Sequence, residues 1–265
     1  MTELQLQLEN KGVKYLQTGQ GPAILFIHGL GIGSNIWNKV ITNLSKSNTI
    51  ILLDLPGYGL NKNLIIEESL DSLTQFINNF IVAKKTIKYL VGYSMGGVPV
   101  YKIAQNPPPS LKKIMCIATP FFTTKLIFIL NILFRIIGFH YLITKIFIFF
   151  INKFPLKQLI FHFGRLANVK KPKAMNECMD KFGKNTNLPY FFRCASSIFS
   201  PTEFSFITIP IDFIYGQKDG FATIKMAKKV TTYCKSAKIY TIRDRYHLLQ
   251  FEDSKGLADI IKKNL

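Results

Sequence analysis

The sequence predicts an α/β fold with an inserted helical cap. In this fold a mostly parallel, eight-stranded sheet is flanked by helices. Short apolar runs rich in β-branched residues alternate with helical patterns through most of its 265 residues. Several of these runs, such as Ala23 to Ile27, are almost continuously apolar, as expected for strands buried on both faces. The segment 121–200 interrupts the alternation and is enriched in Phe, Ile and Lys.

Taken in order, the pattern predicts eight strands and five helices. The strands are expected at 4–9, 13–17, 23–28, 49–54, 86–91, 112–118, 210–215 and 237–242. The helices are expected at 35–46, 68–82, 95–105, 221–233 and 254–263. The first two strands can pair as a hairpin, and the later alternation of strand and helix predicts a parallel sheet covered on both faces.

The length favours one domain with an insertion over two independent domains. We assign 1–120 and 201–265 to the core and 121–200 to a helical cap, which is both apolar and basic. Lys and Arg side chains interrupt this segment, so the charge-free runs between Lys125 and Lys153 do not exceed nine residues. A membrane-spanning helix needs about 20 apolar residues. Two interpretations of the apolar surface stay open: it packs on the core, or it touches lipid or an apolar substrate.

The charge balance raises the question of an anionic partner. Thirty-four Lys and Arg against 15 Asp and Glu give a formal net charge of +19, and twelve basic residues against two acidic ones lie within 121–200. Nucleic-acid surfaces usually interleave basic with polar and aromatic residues, whereas this excess lies in the most apolar part of the chain. We therefore expect no nucleic acid. The 48% hydrophobic content also excludes a disordered chain.

The cysteines and the beginning of the chain predict a reduced compartment. Cys116, Cys178, Cys194 and Cys234 are scattered without the short spacing of metal ligands, so we expect no metal site. The stretch from Met1 to Gly12 lacks the pattern of a signal peptide. A cytoplasmic location is expected, with peripheral attachment to a membrane as the alternative.

The first candidate for chemistry is Ser94, at the centre of the motif Gly92-Tyr93-Ser94-Met95-Gly96. The motif follows an apolar run and opens a helical pattern. A sharp turn from strand to helix needs small residues on both sides of a nucleophile, and Gly92 and Gly96 supply them. The motif therefore predicts a nucleophilic serine at this turn.

A serine hydroxyl needs a base to take its proton and an acid to hold that base. The chain contains His28, His140, His162 and His247, of which only His247 lies in a loop after a late strand. Asp219 follows the preceding strand, so both residues belong at the carboxyl edge of the sheet, where catalytic groups of parallel sheets gather. Asp244 is the rival acid, although a residue only three positions from His247 is poorly placed to orient its ring. His140 and His162 lie in the insertion and are expected to be structural residues or residues on the surface of the cap.

The loop His28-Gly29-Leu30-Gly31 is the candidate oxyanion hole. A tetrahedral intermediate needs two backbone N–H groups directed at its oxygen, and we expect them from Leu30 and Met95. A glycine-rich loop can also hold phosphate, but the motifs of nucleotide-binding loops are missing. No cofactor is expected.

These residues resemble successive motifs of the α/β-hydrolase family, and the resemblance covers essentially the whole chain. The motifs are His28-Gly29-Leu30-Gly31, Asp54-Leu55-Pro56-Gly57-Tyr58-Gly59, Gly92-Tyr93-Ser94-Met95-Gly96-Gly97, Tyr215-Gly216-Gln217-Lys218-Asp219, and His247 with Glu252.

The resemblance implies roles for the matching residues: Ser94 as nucleophile, Asp219 as acid, His247 as base and the insertion as a cap over the acyl or alkyl group. It implies a structural role for Asp54 in the turn after its strand. The chain departs from the family pattern at Tyr246, where a glycine usually precedes the histidine. Haloalkane dehalogenases and epoxide hydrolases of this fold carry an Asp at the nucleophile position, so Ser94 disfavours both chemistries.

The sequence thus predicts a serine hydrolase that cleaves carboxylic esters with an apolar acyl or alkyl group. Thioester hydrolysis, C–C bond hydrolysis and acyl transfer use the same three residues and stay open. Within the same mechanism, the basic cap favours an anionic lipid surface or an acidic carrier protein that presents the acyl group. A non-catalytic module that docks on membrane through the cap is the alternative from another class.

Overall fold

The computed structural model describes residues 5–9, 12–31, 33–121, 132–133, 135–136, 186–198 and 204–265. Its strands are β1 (Gln5–Glu9), β2 (Val13–Thr18), β3 (Ala23–Ile27), β4 (Thr49–Leu53), β5 (Ile87–Tyr93), β6 (Lys113–Ile117), β7 (Ile211–Gly216) and β8 (Ala237–Ile242). Its helices, numbered along the described residues, are α1 (Asn38–Leu44), α2 (Leu70–Ala83), α3 (Gly97–Gln105), α4 (Leu188–Ile198), α5 (Ile224–Thr231), α6 (Leu249–Glu252) and α7 (Ser254–Lys263).

All eight strands form one sheet in the order β1-β2-β4-β3-β5-β6-β7-β8. The β1–β2 and β2–β4 pairs are antiparallel, and every pair from β4 to β8 is parallel. The carboxyl ends of the parallel strands therefore lie along one edge. The predicted fold class, a mostly parallel eight-stranded sheet flanked by helices, is confirmed.

The central strands form where consecutive residues are apolar, so that the side chains on both faces of the sheet can be buried. Every residue of β3 and of β7 is buried, as expected for strands covered by helices on both faces. The edge strand β8 has only one fully buried residue, Ile242. Among the helices, α1 packs against α7, and α2 packs against α3.

The helix α2 shows why a local pattern predicts these elements. Ser69 caps its first turn by accepting a hydrogen bond from the Ser72 amide at 3.0 Å. Its buried residues recur at helical spacing, with Leu73, Ile77, Phe80 and Ile81 facing the core. The observed helix covers Leu70–Ala83, within two residues of the range expected from sequence.

The observed helices differ from the expected ones at several ends. The helix α3 begins at Gly97 and not at residue 95, and α5 covers Ile224–Thr231 within the expected range 221–233. The first helix was expected to begin at residue 35, but a 3-10 turn occupies Ser34–Trp37 and α1 follows it. The short helix α6 was not expected, because four residues are too few for a recognisable period.

Parts of the predicted cap are described. Residues 132–133 and 135–136 are helical, and α4 lies at the end of the insertion. Thr186 bridges to Tyr58, and the Asn187 amide donates to the Gly57 oxygen at 2.8 Å, so this end of the insertion is joined to the loop after β4. The cap as a whole remains a prediction. Among the helices that the structure describes, none is both long and apolar enough to cross a membrane.

Candidate active site

Ser94 lies immediately after β5, at the start of a 3-10 turn that leads into α3. Its φ of +50° is in the left-handed region, which a residue with a side chain rarely adopts. Such strain is typical of functional positions that surrounding structure holds in place. The turn leaves Ser94 at the carboxyl edge of the sheet, where the loops after β3, β7 and β8 also lie.

The glycines beside Ser94 are required by close packing. A Cβ on Gly92 would lie 2.8 Å from the Cα of Gly97, and a Cβ on Gly96 would lie 2.8 Å from Cγ2 of Ile27. Both separations are far below van der Waals contact. Only glycine therefore lets α3 approach β5 and β3 this closely.

The structure brings Ser94, His247 and Asp219 together from three separate loops. The Oγ atom of Ser94 lies 2.9 Å from Nε2 of His247, and Nδ1 of His247 lies 2.8 Å from Oδ2 of Asp219. Ser94 and Asp219 are buried, and the His247 side chain is 13% exposed. The three side chains therefore form one hydrogen-bonded line.

The orientation of Asp219 assigns the protons along this line. Its Oδ1 atom accepts hydrogen bonds from the backbone amides of Phe221 and Ala222, both at 2.9 Å, so Oδ2 is left for the imidazole. Because an ionised carboxylate only accepts, Nδ1 of His247 carries the proton. Nε2 is then free to accept from the Ser94 hydroxyl, which is the arrangement that a general base needs.

The loop that carries His247 follows β8 and packs against the loop after β7. The backbone oxygen of Arg245 accepts from the Lys218 amide at 2.8 Å. A Cβ on Gly216 would lie 2.6 Å from that same oxygen. Tyr246, the departure from the family pattern, donates its amide to Oε2 of Glu252 at 2.7 Å. The loop therefore keeps His247 within hydrogen-bond distance of Ser94 with a tyrosine at this position.

The candidate oxyanion loop lies beside Ser94. A Cβ on Gly29 would come 3.2 Å from Cβ of Ser94. Nε2 of His28 accepts from the Leu55 amide at 3.0 Å, so Nδ1 bears the proton and donates to the Gly29 oxygen at 2.8 Å. Since the C=O and N–H of one peptide point in opposite directions, the Leu30 amide is directed away from His28.

His28 is completely buried, and burial lowers its pKa, although Asp54 opposes this shift. The neutral ring agrees with its single donated and single accepted hydrogen bond. Gly31, the last residue of the loop, is buried and has a φ of +74°, a value that favours glycine. Met95, the second expected amide donor, directly follows Ser94 and is buried.

The remaining candidates lie elsewhere. Asp244 is exposed and pairs with Lys218 at 2.5 Å, which lowers the pKa of Asp244. Among the described residues, the carboxylate that contacts the His247 ring is that of Asp219, at 2.8 Å. Asp54 accepts the amides of Ser34 and Leu60, which joins the loops after β3 and β4. His140 and His162 lie outside the described residues.

No potential metal centre is found in the part of the chain that the structure describes, where three or more His, Cys, Asp or Glu side chains never cluster. Cys116 and Cys194 are buried free thiols, and Cys234 is half-buried. Cys178 lies outside the described residues. The hydroxyl of Tyr93 donates to the backbone oxygen of His247. No local sequence pattern predicts this contact, because the two residues are distant along the chain.

The model of the alpha/beta hydrolase fold family matches residues 22–254. The matched range contains the turn of Ser94 and the loops of Asp219 and His247, as well as the loop of His28.

Individual proteins show weaker similarity. A pimeloyl-[acyl-carrier protein] methyl ester esterase of Nitrosomonas europaea is 28% identical over 109 residues. That match covers 41% of this chain and only 42% of the relative.

Among solved structures, an epoxide hydrolase of Bacillus megaterium has a TM-score of 0.76 at 19% identity, over 98% of this chain and 99% of the other. A lipase-esterase related protein of Clostridium acetobutylicum has a TM-score of 0.73 at 19% identity, over 96% and 99%. At these identities the two structures are similar in fold alone.

Proposed function

Because this chain belongs to the α/β-hydrolase fold family, we propose that it is an enzyme that hydrolyses carboxylic esters with an apolar acyl or alkyl group. One observation carries the proposal. A serine held at a φ of +50° after β5 lies 2.9 Å from an imidazole whose other nitrogen is bonded to a buried carboxylate. This is the geometry that activates a serine hydroxyl.

In the proposed reaction, Ser94 Oγ attacks the ester carbonyl while His247 Nε2 takes the hydroxyl proton. The C–O bond to the alcohol then breaks, and His247 returns the proton to the departing oxygen. A water molecule then attacks the acyl group on Ser94 while His247 takes a proton from the water. The bond between Ser94 Oγ and the acyl carbon breaks, His247 returns the proton to Oγ, and the carboxylic acid leaves. Asp219 keeps the imidazole in the required tautomer and stabilises its charged form.

The oxyanion formed in each step needs two N–H donors. Leu30 and Met95 are proposed for this role, because the loop of Leu30 lies against Ser94 and Met95 follows it directly. The apolar composition of 121–200 supports an apolar acyl or alkyl group. An epoxide hydrolase mechanism is not proposed, since the nucleophile position carries Ser94 and not an aspartate.

The test is intact-mass labelling with a fluorophosphonate, performed on the wild type and on Ser94→Ala in parallel. The probe reacts with an activated serine and requires no choice of substrate. We expect one adduct on the wild type, no adduct on Ser94→Ala, and a loss of ester turnover of about 10³-fold or more in that variant.

Ordinary turnover by Ser94→Ala would contradict the assignment of the nucleophile. No adduct on folded wild type, also in the presence of detergent, would favour a non-catalytic module of the same fold. Sedimentation with anionic liposomes would then test the membrane-docking alternative.

A finer candidate is an ester presented on a carrier protein. The similar protein of Nitrosomonas europaea is named for a methyl ester on an acyl-carrier protein. The net charge of +19 supports an acidic carrier as partner, since opposite charges accelerate encounter. The match spans about two fifths of either chain. The substrate in the relative's name is therefore a proposal for this chain.

A further inference from the structure

His247 lies on a loop that follows a strand with a neighbouring strand on one side only. The loop follows β8, which lies at one edge of the sheet and, among the described strands, pairs with β7 alone. Ser94 and Asp219 instead follow β5 and β7, which have strands on both sides. The position of the base therefore depends on contacts from outside its own strand.

One such contact comes from Glu252, in the helix α6. Its Oε2 atom accepts the Tyr246 amide at 2.7 Å, and its Oε1 atom accepts the Leu248 amide at 3.1 Å. One carboxylate thus holds the residues before and after His247. Glu252 is 9% exposed, so water competes little for these bonds.

The second contact comes from Tyr93, the residue before the nucleophile. Its hydroxyl donates to the backbone oxygen of His247 at 3.1 Å. The two rings also pack together, with centroids 5.4 Å apart. Tyr93 is 3% exposed and is fixed in β5, so it joins the strand of the nucleophile directly to the backbone of the base.

We propose that Tyr93 and Glu252 are positioning residues that clamp the main chain of His247 from both sides, so that its ring keeps both hydrogen bonds. The inference rests on the proposed function of Ser94, His247 and Asp219. Neither residue touches the reacting atoms. They act through His247, whose Nε2 must stay within about 3 Å of Ser94 Oγ for proton transfer.

The clamp matters because small displacements of a catalytic group are costly. A shift of about 1 Å at a catalytic group can lower a rate by about 10²-fold. Three backbone groups at His247 and its two neighbours are supported: the C=O of His247, the N–H of Tyr246 and the N–H of Leu248. Removing one support should loosen the base without unfolding the loop.

The experiment compares Tyr93→Phe with the matched control Tyr89→Phe. The hydroxyl of Tyr89, in the same strand, donates to the backbone oxygen of Leu265, also at 3.1 Å. Both variants lose a tyrosine hydroxyl bonded to a carbonyl and keep the ring. Of these two tyrosines, Tyr93 contacts His247 and Tyr89 does not. A difference in rate between the two variants therefore reports on the position of the base.

We expect fluorophosphonate labelling of Tyr93→Phe to be about three- to tenfold slower than wild type, the loss expected for one hydrogen bond. Labelling of Tyr89→Phe should stay at the wild-type rate. On a short soluble ester, Tyr93→Phe should lower kcat and leave KM unchanged, because the hydroxyl acts on the base and not on substrate binding.

Glu252→Gln tests the other half of the clamp. The amide group keeps one acceptor oxygen but turns an N–H₂ donor toward the second backbone amide. The labelling rate should fall at least about tenfold, because a charge-assisted bond is lost and two donors face each other. Equal rates for Tyr93→Phe and Tyr89→Phe, or an unchanged Glu252→Gln, would overturn the clamp.

An independent measurement separates failure of the clamp from failure of the proposed function. The Nδ1 proton between His247 and Asp219 should give a low-field proton resonance, assigned by its loss in His247→Gln. In Tyr93→Phe this resonance should broaden through faster exchange with water, while Tyr89→Phe should keep it sharp. A wild type that is not labelled would refute the proposed function, and an unchanged resonance in Tyr93→Phe would refute the clamp whether or not the protein is an enzyme.

Discussion

At the scale of single residues, Asp219 divides its two carboxylate oxygens between two tasks. Oδ1 holds the amides of Phe221 and Ala222, and Oδ2 holds His247. In Asp219→Asn, the amide oxygen should stay on the two backbone amides, which places the N–H₂ group against Nδ1. The proton then moves to Nε2, and His247 can no longer accept from Ser94.

We therefore expect Asp219→Asn to fold and to lose about 10⁴-fold in kcat, measured with a short ester. Asp244→Asn is the control, because Asp244 is exposed and pairs with Lys218. Its kcat should stay close to wild type. A larger loss in Asp244→Asn than in Asp219→Asn would show that the acid has been misassigned.

His28 predicts a pH dependence of stability. Burial lowers its pKa below the ordinary value of 6.5. Below about pH 6.5 the unfolded chain binds a proton that the folded chain does not, so the free energy of unfolding should fall toward acid, by at most about 1.4 kcal/mol per pH unit from this group. Above that pH the contribution is fully present.

Urea denaturation at several pH values, with His28→Gln beside the wild type, measures this contribution. The variant should have a shallower slope between about pH 6.5 and the lowered pKa, since groups common to both proteins cancel. Identical slopes would mean that His28 takes up no additional proton on unfolding.

At the scale of elements, an ion pair between a buried aspartate and a half-buried lysine joins neighbouring strands. Nζ of Lys113, in β6, lies 2.7 Å from Oδ2 of Asp212, in β7, with side chains 16% and 3% exposed. Lys113→Met should lower the free energy of unfolding by about 3 kcal/mol, because the carboxylate stays buried without its cation.

The double variant Lys113→Met with Asp212→Leu should recover most of that loss, since replacing both charges removes the desolvation cost as well as the attraction. Denaturant unfolding of the two single variants and the double variant measures the coupling. Additive losses would show that the two side chains do not depend on each other.

At the scale of the whole molecule, the net charge of +19 bears on the proposed carrier-bound substrate. Basic side chains are exposed on the described core as well, including Lys225 and Lys228 on α5 and Lys238 on β8. The attraction to an acidic carrier should weaken with salt, because the screening length falls from about 10 Å at 0.1 M to about 3 Å at 1 M.

We expect kcat/KM for an ester on an acidic carrier protein to fall steeply as salt rises. The same acyl group as a free neutral ester should show little salt dependence, which separates steering from effects on chemistry. A flat profile for the carrier-bound ester would argue against docking by charge.

Local sequence patterns predicted the strands, most of the helices and the residues that follow each strand. Apolar runs such as β3 and β7, and the helical spacing of Leu73 and Ile77 in α2, depend on neighbours a few positions away, so a local pattern is sufficient. The placement of Ser94 at a turn from strand to helix was predicted in the same way, from its flanking glycines.

Which loops meet depends on the order of the strands in the sheet. The strand order places β6 between β5 and β7 and leaves β8 at the edge, and this order brings Ser94 to His247 across 153 positions of the chain. The contacts of Tyr93 with His247 and of Lys113 with Asp212 likewise depend on strand order and register. Periodicity gives no signal for either contact, because residues distant in sequence meet only after the sheet has assembled.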